Sequence, residues 1–238
     1  MRNDLATSIH SWFTSVTAIM IFGLFIVPIT LILSLKWFNP PISSFMLGYE
    51  ISNNQNTMHY EWRDWDEIAE SASLAVVAAE DHLFSERSSF NFKKLQHFLN
   101  QYPQDTKDSD VKNISRQTAK NLFLSHDQSY VSKGLETWLT LLMEASLDKQ
   151  RILEIYLNIA EFGPGVYGIE AASQHFFYKP ANKLTDSESA LLAAVLTDPK
   201  LYHADSPSAV VEQLQRKIMD QMKTSGLSTS LQMLAGNS

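Results

Sequence analysis

A chain of 238 residues, 45% of them hydrophobic, is long enough for one membrane segment and one domain with a real core. It has no cysteine, which excludes disulfides, thiolate nucleophiles and cysteine metal sites, and its net charge of -7 excludes general nucleic-acid binding. The charge is unevenly spread. Within 87–133, eight bases (Arg87, Lys93, Lys94, Lys107, Lys112, Arg116, Lys120 and Lys133) stand against four aspartates. Such a strip suits a phosphate-bearing ligand, and equally an ordinary solvated face.

In chain order, 1–15 reads as a short cytoplasmic segment, followed by the uncharged run 16–35, about as long as a helix needs to cross a bilayer. Pro28 within it is tolerable in a membrane helix. A retained anchor is expected rather than a cleaved signal peptide, because the run is long and no Ala-x-Ala-like site directly follows. Arg2 and Lys36 flank it, so charge scarcely sets its orientation. Asn39, Pro40 and Pro41 end the run, since proline lacks the amide a continuing helix needs. The connecting segment 36–66 is polar and aromatic from 42 onward (Tyr49, Tyr60, Trp62, Trp65) and reads as an extended approach. Its rings suit a membrane interface or a core.

The domain expected at 67–224 is mostly helical. Small apolar residues predict a helix over 68–81, and Phe92, Leu95, Phe98 and Leu99 predict another over 90–100. The stretch 101–111 is polar, contains Pro103 and reads as a loop. A short helix is expected at 115–124. One long helical pattern runs over 133–158, with Leu135, Leu139, Leu142, Leu147, Ile152, Ile155 and Tyr156 facing inward. A glycine-punctuated loop at 161–168 precedes a helix over 169–177. Thr185 and Glu188 form a capping box ahead of a buried helix at 190–196. Ser206 and Pro207 read as the cap and first residue of a helix ending near Met222. Strand signals are weak throughout, and 225–238 reads as a loose tail.

Two carboxylates stand where little in the local sequence favours a charge. Glu80 closes the apolar run 74–79, and Glu136 stands near the start of the long helical pattern. The plain alternatives are a helix-end carboxylate facing water and a first-turn acid favoured by the helix dipole.

The residues around them carry a resemblance. AEDHLF at 79–84 resembles the first motif of the peptidoglycan glycosyltransferase family, the lysozyme-like domains that polymerise lipid II. QTAKNLFL at 117–124 resembles the end of its second motif, KGLE at 133–136 the third, RILEIYLN at 151–158 the fourth, and EFGPGVYGIEAA at 161–172 the fifth. Five motifs in matching order and spacing make a specific signal, with the monofunctional biosynthetic type as the nearest pattern. The resemblance implies a mainly α, lysozyme-like helical glycosyltransferase domain behind one N-terminal transmembrane helix. That places it in the cell inner membrane as a single-pass protein with its domain in the periplasm. It implies lipid II and the nascent glycan strand as partners, with cell-wall synthesis or division proteins as further candidates.

By the same resemblance, Glu80 is the general base on the acceptor hydroxyl. A carboxylate set against apolar neighbours makes a better base near neutral pH. Glu136, with Lys120 and Lys133, assists loss of the undecaprenyl diphosphate. Gln117 and Asn121 are further substrate-binding candidates. The resemblance leaves Mg²⁺ or Mn²⁺ open as a cofactor, with Glu136 as the ligand. Arg151, Tyr156 and Asn158 are expected to hold the fold.

The pattern also departs from the family. Arg87, Ser88 and Ser89 stand where it has His-x-Gly. Asp110, Val111, Lys112 and Asn113 stand where the second motif opens Gly-Gly-Ser-Thr, Arg116 replaces the first glutamine of its Gln-Gln pair, and Ser132 replaces an arginine. One explanation is relocated charge: Lys112, Arg116 and Lys120 share a face if the helix extends that far back, and with Arg87 they replace the cation missing at Ser132. The others are erosion to a membrane-anchored binding protein, and a glycan hydrolase, whose acid–base pair follows the same logic.

Overall fold

The computed structural model describes residue 17 and residues 22–52, 57–80, 113–124 and 129–223. The expected helix at 90–100, the loop at 101–111 and the tail at 225–238 lie outside these residues. The chain divides into two units at Phe38 and Asn39.

Of the first unit, the described part is a π-helical turn, Phe22–Ile26, running into helix α1, Val27–Ser34. The widened turn has a local cause. Pro28 has no amide to donate and its ring crowds the carbonyl four residues back, at position 24, which the π turn accommodates. Phe22, Phe25, Ile26, Leu31 and Leu33 are exposed. No helix among the described residues is long and apolar enough to cross a membrane; of the run 16–35, residues 16 and 18–21 are not described.

The second unit opens with helix α2, Ser44–Ser52, where the sequence reads as extended. Ser43 starts it by accepting the Met46 amide on its hydroxyl at 3.2 Å, and Met46 is fully buried. Strand β1, His59–Tyr60, follows. The backbone beyond it is stitched down by side chains. Asn158 accepts the Arg63 amide and donates to the Arg63 carbonyl, both at 2.8 Å, and Glu154 accepts the Trp65 amide at 2.9 Å. Arg151 in turn bonds Glu154 and Asn39 and lies 5.3 Å from the Trp62 ring. Arg151 and Asn158 therefore hold the fold, as expected.

Helix α3, Glu70–Glu80, buries Ala72, Ala75, Val76, Val77 and Ala78. It packs on helix α8, Asp186–Val195, and helix α9, Ala209–Met222. Small residues on both α3 and α8 let the backbones approach, and Ser71 and Ser189 share a hydroxyl hydrogen bond at 2.8 Å. Thr185 and Glu188 form the expected capping box, which starts α8 four residues earlier than the sequence reading. For α9 the cap is Ser208, which accepts the Val211 amide, and not Ser206.

Helices α4, Ile114–Phe123, α5, Tyr130–Ser146, and α6, Lys149–Ile159, form the next cluster, with α4 against both others. The single pattern expected over 133–158 is thus two helices. Leu147 is extended, and Asp148 caps α6 by accepting the Arg151 amide at 2.7 Å. Leu147 stays buried through the break, so the apolar periodicity conceals it.

Strands β2, Glu161–Gly163, and β3, Val166–Tyr167, form a hairpin, and β1 joins it in the order β1-β3-β2. β1 is parallel to β3, with His59 beside Val166, and β2 is antiparallel to it. Two glycines allow the fit. Gly165 has φ 77° and a Cβ there would meet the Tyr49 hydroxyl at 2.6 Å; Gly168 has φ 86° and would meet the Asn158 carbonyl at 2.5 Å. Helix α7, Ile169–Phe177, then follows as expected.

Candidate active site

Glu80 is the last residue of α3 and is 3% exposed. Burial deprives its carboxylate of water, so its partners must compensate. Gln117, on α4, donates from Nε2 to Glu80 Oε2 at 2.5 Å. The amide oxygen of Gln117 accepts the Tyr156 hydroxyl at 3.2 Å from α6. Glu80 is therefore no helix-end carboxylate facing water.

Glu136 is 8% exposed and sits two turns inside α5, too deep for the first-turn dipole effect. The Arg116 guanidinium on α4 pairs with its carboxylate through Nε. Arg116 and Gln117 are consecutive, and successive helical residues diverge by about 100°. One helix thus serves both carboxylates, Glu80 through Gln117 and Glu136 through Arg116.

The remaining candidates distribute around this frame. Lys120 lies one turn beyond Arg116 on α4, and Lys133 one turn before Glu136 on α5. Among the described residues no hydrogen bond or ion pair engages either ammonium group. Asn121 is half-buried beside Lys120 in sequence. Arg87 and Lys112 lie outside the described residues. Helix α4 begins at Ile114, with Asn113 as its cap accepting the Arg116 amide, so helical spacing does not extend back to align position 112 with Arg116 and Lys120.

A divalent cation at Glu136 does not fit the described residues. The carboxylate faces a guanidinium, and among those residues no three metal-ligating side chains cluster. The arrangement instead gives one carboxylate a glutamine amide and the other a guanidinium, with Lys120 one turn along α4 from Arg116 and Lys133 one turn along α5 from Glu136. The sequence reading missed the contact of Tyr156 with Gln117, for which the sequence contains no local signal.

A protein family described as Transglycosylase matches residues 48–223. A biosynthetic peptidoglycan transglycosylase of Pasteurella multocida is 44% identical over 187 residues, covering 76% of each chain. One from Shewanella oneidensis is 40% identical over 209 residues, covering 87% of this chain and 90% of its own. Another from Xanthomonas campestris pv. campestris is 42% identical over 200 residues, covering 82% of this chain and 81% of its own.

Proposed function

This chain belongs to the transglycosylase family, and from that premise we propose that it is a peptidoglycan glycosyltransferase polymerising lipid II into glycan strands. Glu80 takes the proton of the acceptor sugar's 4-hydroxyl. That oxygen forms the new glycosidic bond as the donor's undecaprenyl diphosphate leaves with the bonding electrons. Glu136, with Lys120 and Lys133, assists that departure, and its pair with Arg116 adds a guanidinium to the cations available to the diphosphate. The protein acts at the inner membrane, single-pass with its domain in the periplasm, a reading supported by the uncharged run 16–35 and a lipid-linked substrate.

One observation carries this reading: two nearly buried carboxylates, far apart in sequence, are each held by one of two adjacent residues of α4. A second reading, a membrane-anchored protein that binds lipid II or cell-wall machinery without turnover, is favoured by the neutralisation of Glu136 by Arg116. Polymerisation of labelled lipid II by the detergent-purified full-length protein, beside Glu80→Gln, decides between them. Glycan is expected from the wild type and none from Glu80→Gln. A folded wild type that binds lipid II and makes no glycan overturns the first reading for the second.

A further inference from the structure

We infer that Tyr156 is a positioning residue, which acts through Gln117 to orient the Glu80 carboxylate. The inference rests on the role of Glu80 proposed above and adds a residue to it.

Tyr156 is 1% exposed, and a buried phenol needs a partner for its hydroxyl. The partner is the Gln117 amide oxygen at 3.2 Å, while the amide nitrogen meets Glu80 Oε2 at 2.5 Å. A free glutamine amide could turn over and exchange its oxygen and nitrogen. Here the two ends select one orientation. An ionised carboxylate accepts only, so it demands the NH₂ group, and the phenol then donates to the remaining amide oxygen. The chain runs one way, from phenol to amide to carboxylate, and each bond polarises the next.

The phenol is suited to this fixed role. Burial, and then the nearby Glu80 charge, hold its hydroxyl well above the ordinary tyrosine range, so it keeps its proton wherever the enzyme works. It is a permanent donor and not a proton exchanger. A hydrogen bond donated to a carboxylate favours its charged form, the form that accepts a proton from the acceptor sugar. Without the phenol, Gln117 loses the contact that fixes its orientation, and Glu80 loses an aligned donor.

The test compares wild type, Tyr156→Phe, Gln117→Leu and Glu80→Gln as full-length protein in detergent. Two readouts are taken: kcat/KM on labelled lipid II against pH, and titration of the carboxyl ¹³C signal that disappears in Glu80→Gln. We expect the acid limb of the rate profile and the carbon-detected midpoint to move up in Tyr156→Phe and Gln117→Leu. The alkaline limb should stay in place. A folded Tyr156→Phe protein with both readouts at the wild-type position overturns the inference, as does a uniform loss of rate at every pH with the midpoint unmoved. If Tyr156→Phe does not fold, Gln117→Leu, at a less buried position, decides by the same criteria. Polymerisation by Glu80→Gln at the wild-type rate overturns the transferase role of Glu80 instead, and the ¹³C titration still decides whether Tyr156 holds that carboxylate.

Discussion

Arg116 shows how much one side chain can change a site. Its guanidinium pairs with a nearly buried Glu136, so its removal leaves a carboxylate with less compensation and, on the proposed reading, strips a cation from the leaving diphosphate. Arg116→Ala should therefore lower lipid II turnover by roughly 100-fold in a protein that still folds; wild-type turnover in that variant would sink the relocated-charge explanation. Glu80 and Glu136 were singled out in the sequence by the motifs around them, and the structure adds that both are nearly buried. The Tyr156–Gln117 contact was not legible there, because 39 positions separate the two residues and each alone is unremarkable in type. Lys112 was expected to share a face with Arg116 only if the helix ran back that far, and Asn113 caps the helix at Ile114.

At the scale of elements, the junction between α6 and α7 turns on one glycine. The Gly168 amide donates to the Ala160 carbonyl at 2.9 Å, and its own φ of 86° with ψ of 154° is a conformation that side chains resist. Gly168→Ala adds a methyl group 2.5 Å from the Asn158 carbonyl, a backbone atom that cannot swing aside. The variant should lose about 3 kcal/mol or more of stability, read as a lowered urea midpoint; an unchanged midpoint would show that the junction relaxes freely. Elements with strong local chemistry, such as the α8 capping box, were legible in the sequence. The α5–α6 break was hidden because Leu147 keeps the apolar rhythm while Asp148 caps a new helix. The strands are two or three residues long, too short for any alternation to register, and α2 lies in a stretch whose aromatic residues suggested an extended chain.

The unit beginning at Asn39 is held together across long sequence distances by a few buried charges. Glu170 is fully buried and accepts the Ala181 amide at 2.7 Å, Gln174 at 3.0 Å and Arg63 at 3.3 Å, linking α7 to the chain before α3 and the turn after α7. Burial pushes its carboxyl up, but those hydrogen bonds and the Arg63 charge outweigh burial and hold it below the ordinary glutamate range. A carboxyl depressed in the folded state contributes stability above its unfolded value and loses it as pH falls through the folded one. The urea midpoint should therefore drop as pH falls below about 4, and Glu170→Gln should flatten that slope. Some slope will remain, since Glu188, also raised by burial, is carried below its ordinary range by Lys179 and Thr185. An identical slope in Glu170→Gln would show that the acid sensitivity comes from elsewhere.

Helix α4 attends to two carboxylates with two consecutive residues, which makes chain length there a stricter genetic constraint than residue identity. Exchanging one codon at 116 or 117 alters one partnership and leaves the other in place. Deleting a codon between the Asn113 cap and Arg116 turns everything downstream by about 100° and misdirects both partners at once. A point substitution here retunes one side of the site, whereas an insertion or deletion in this turn disturbs both sides together.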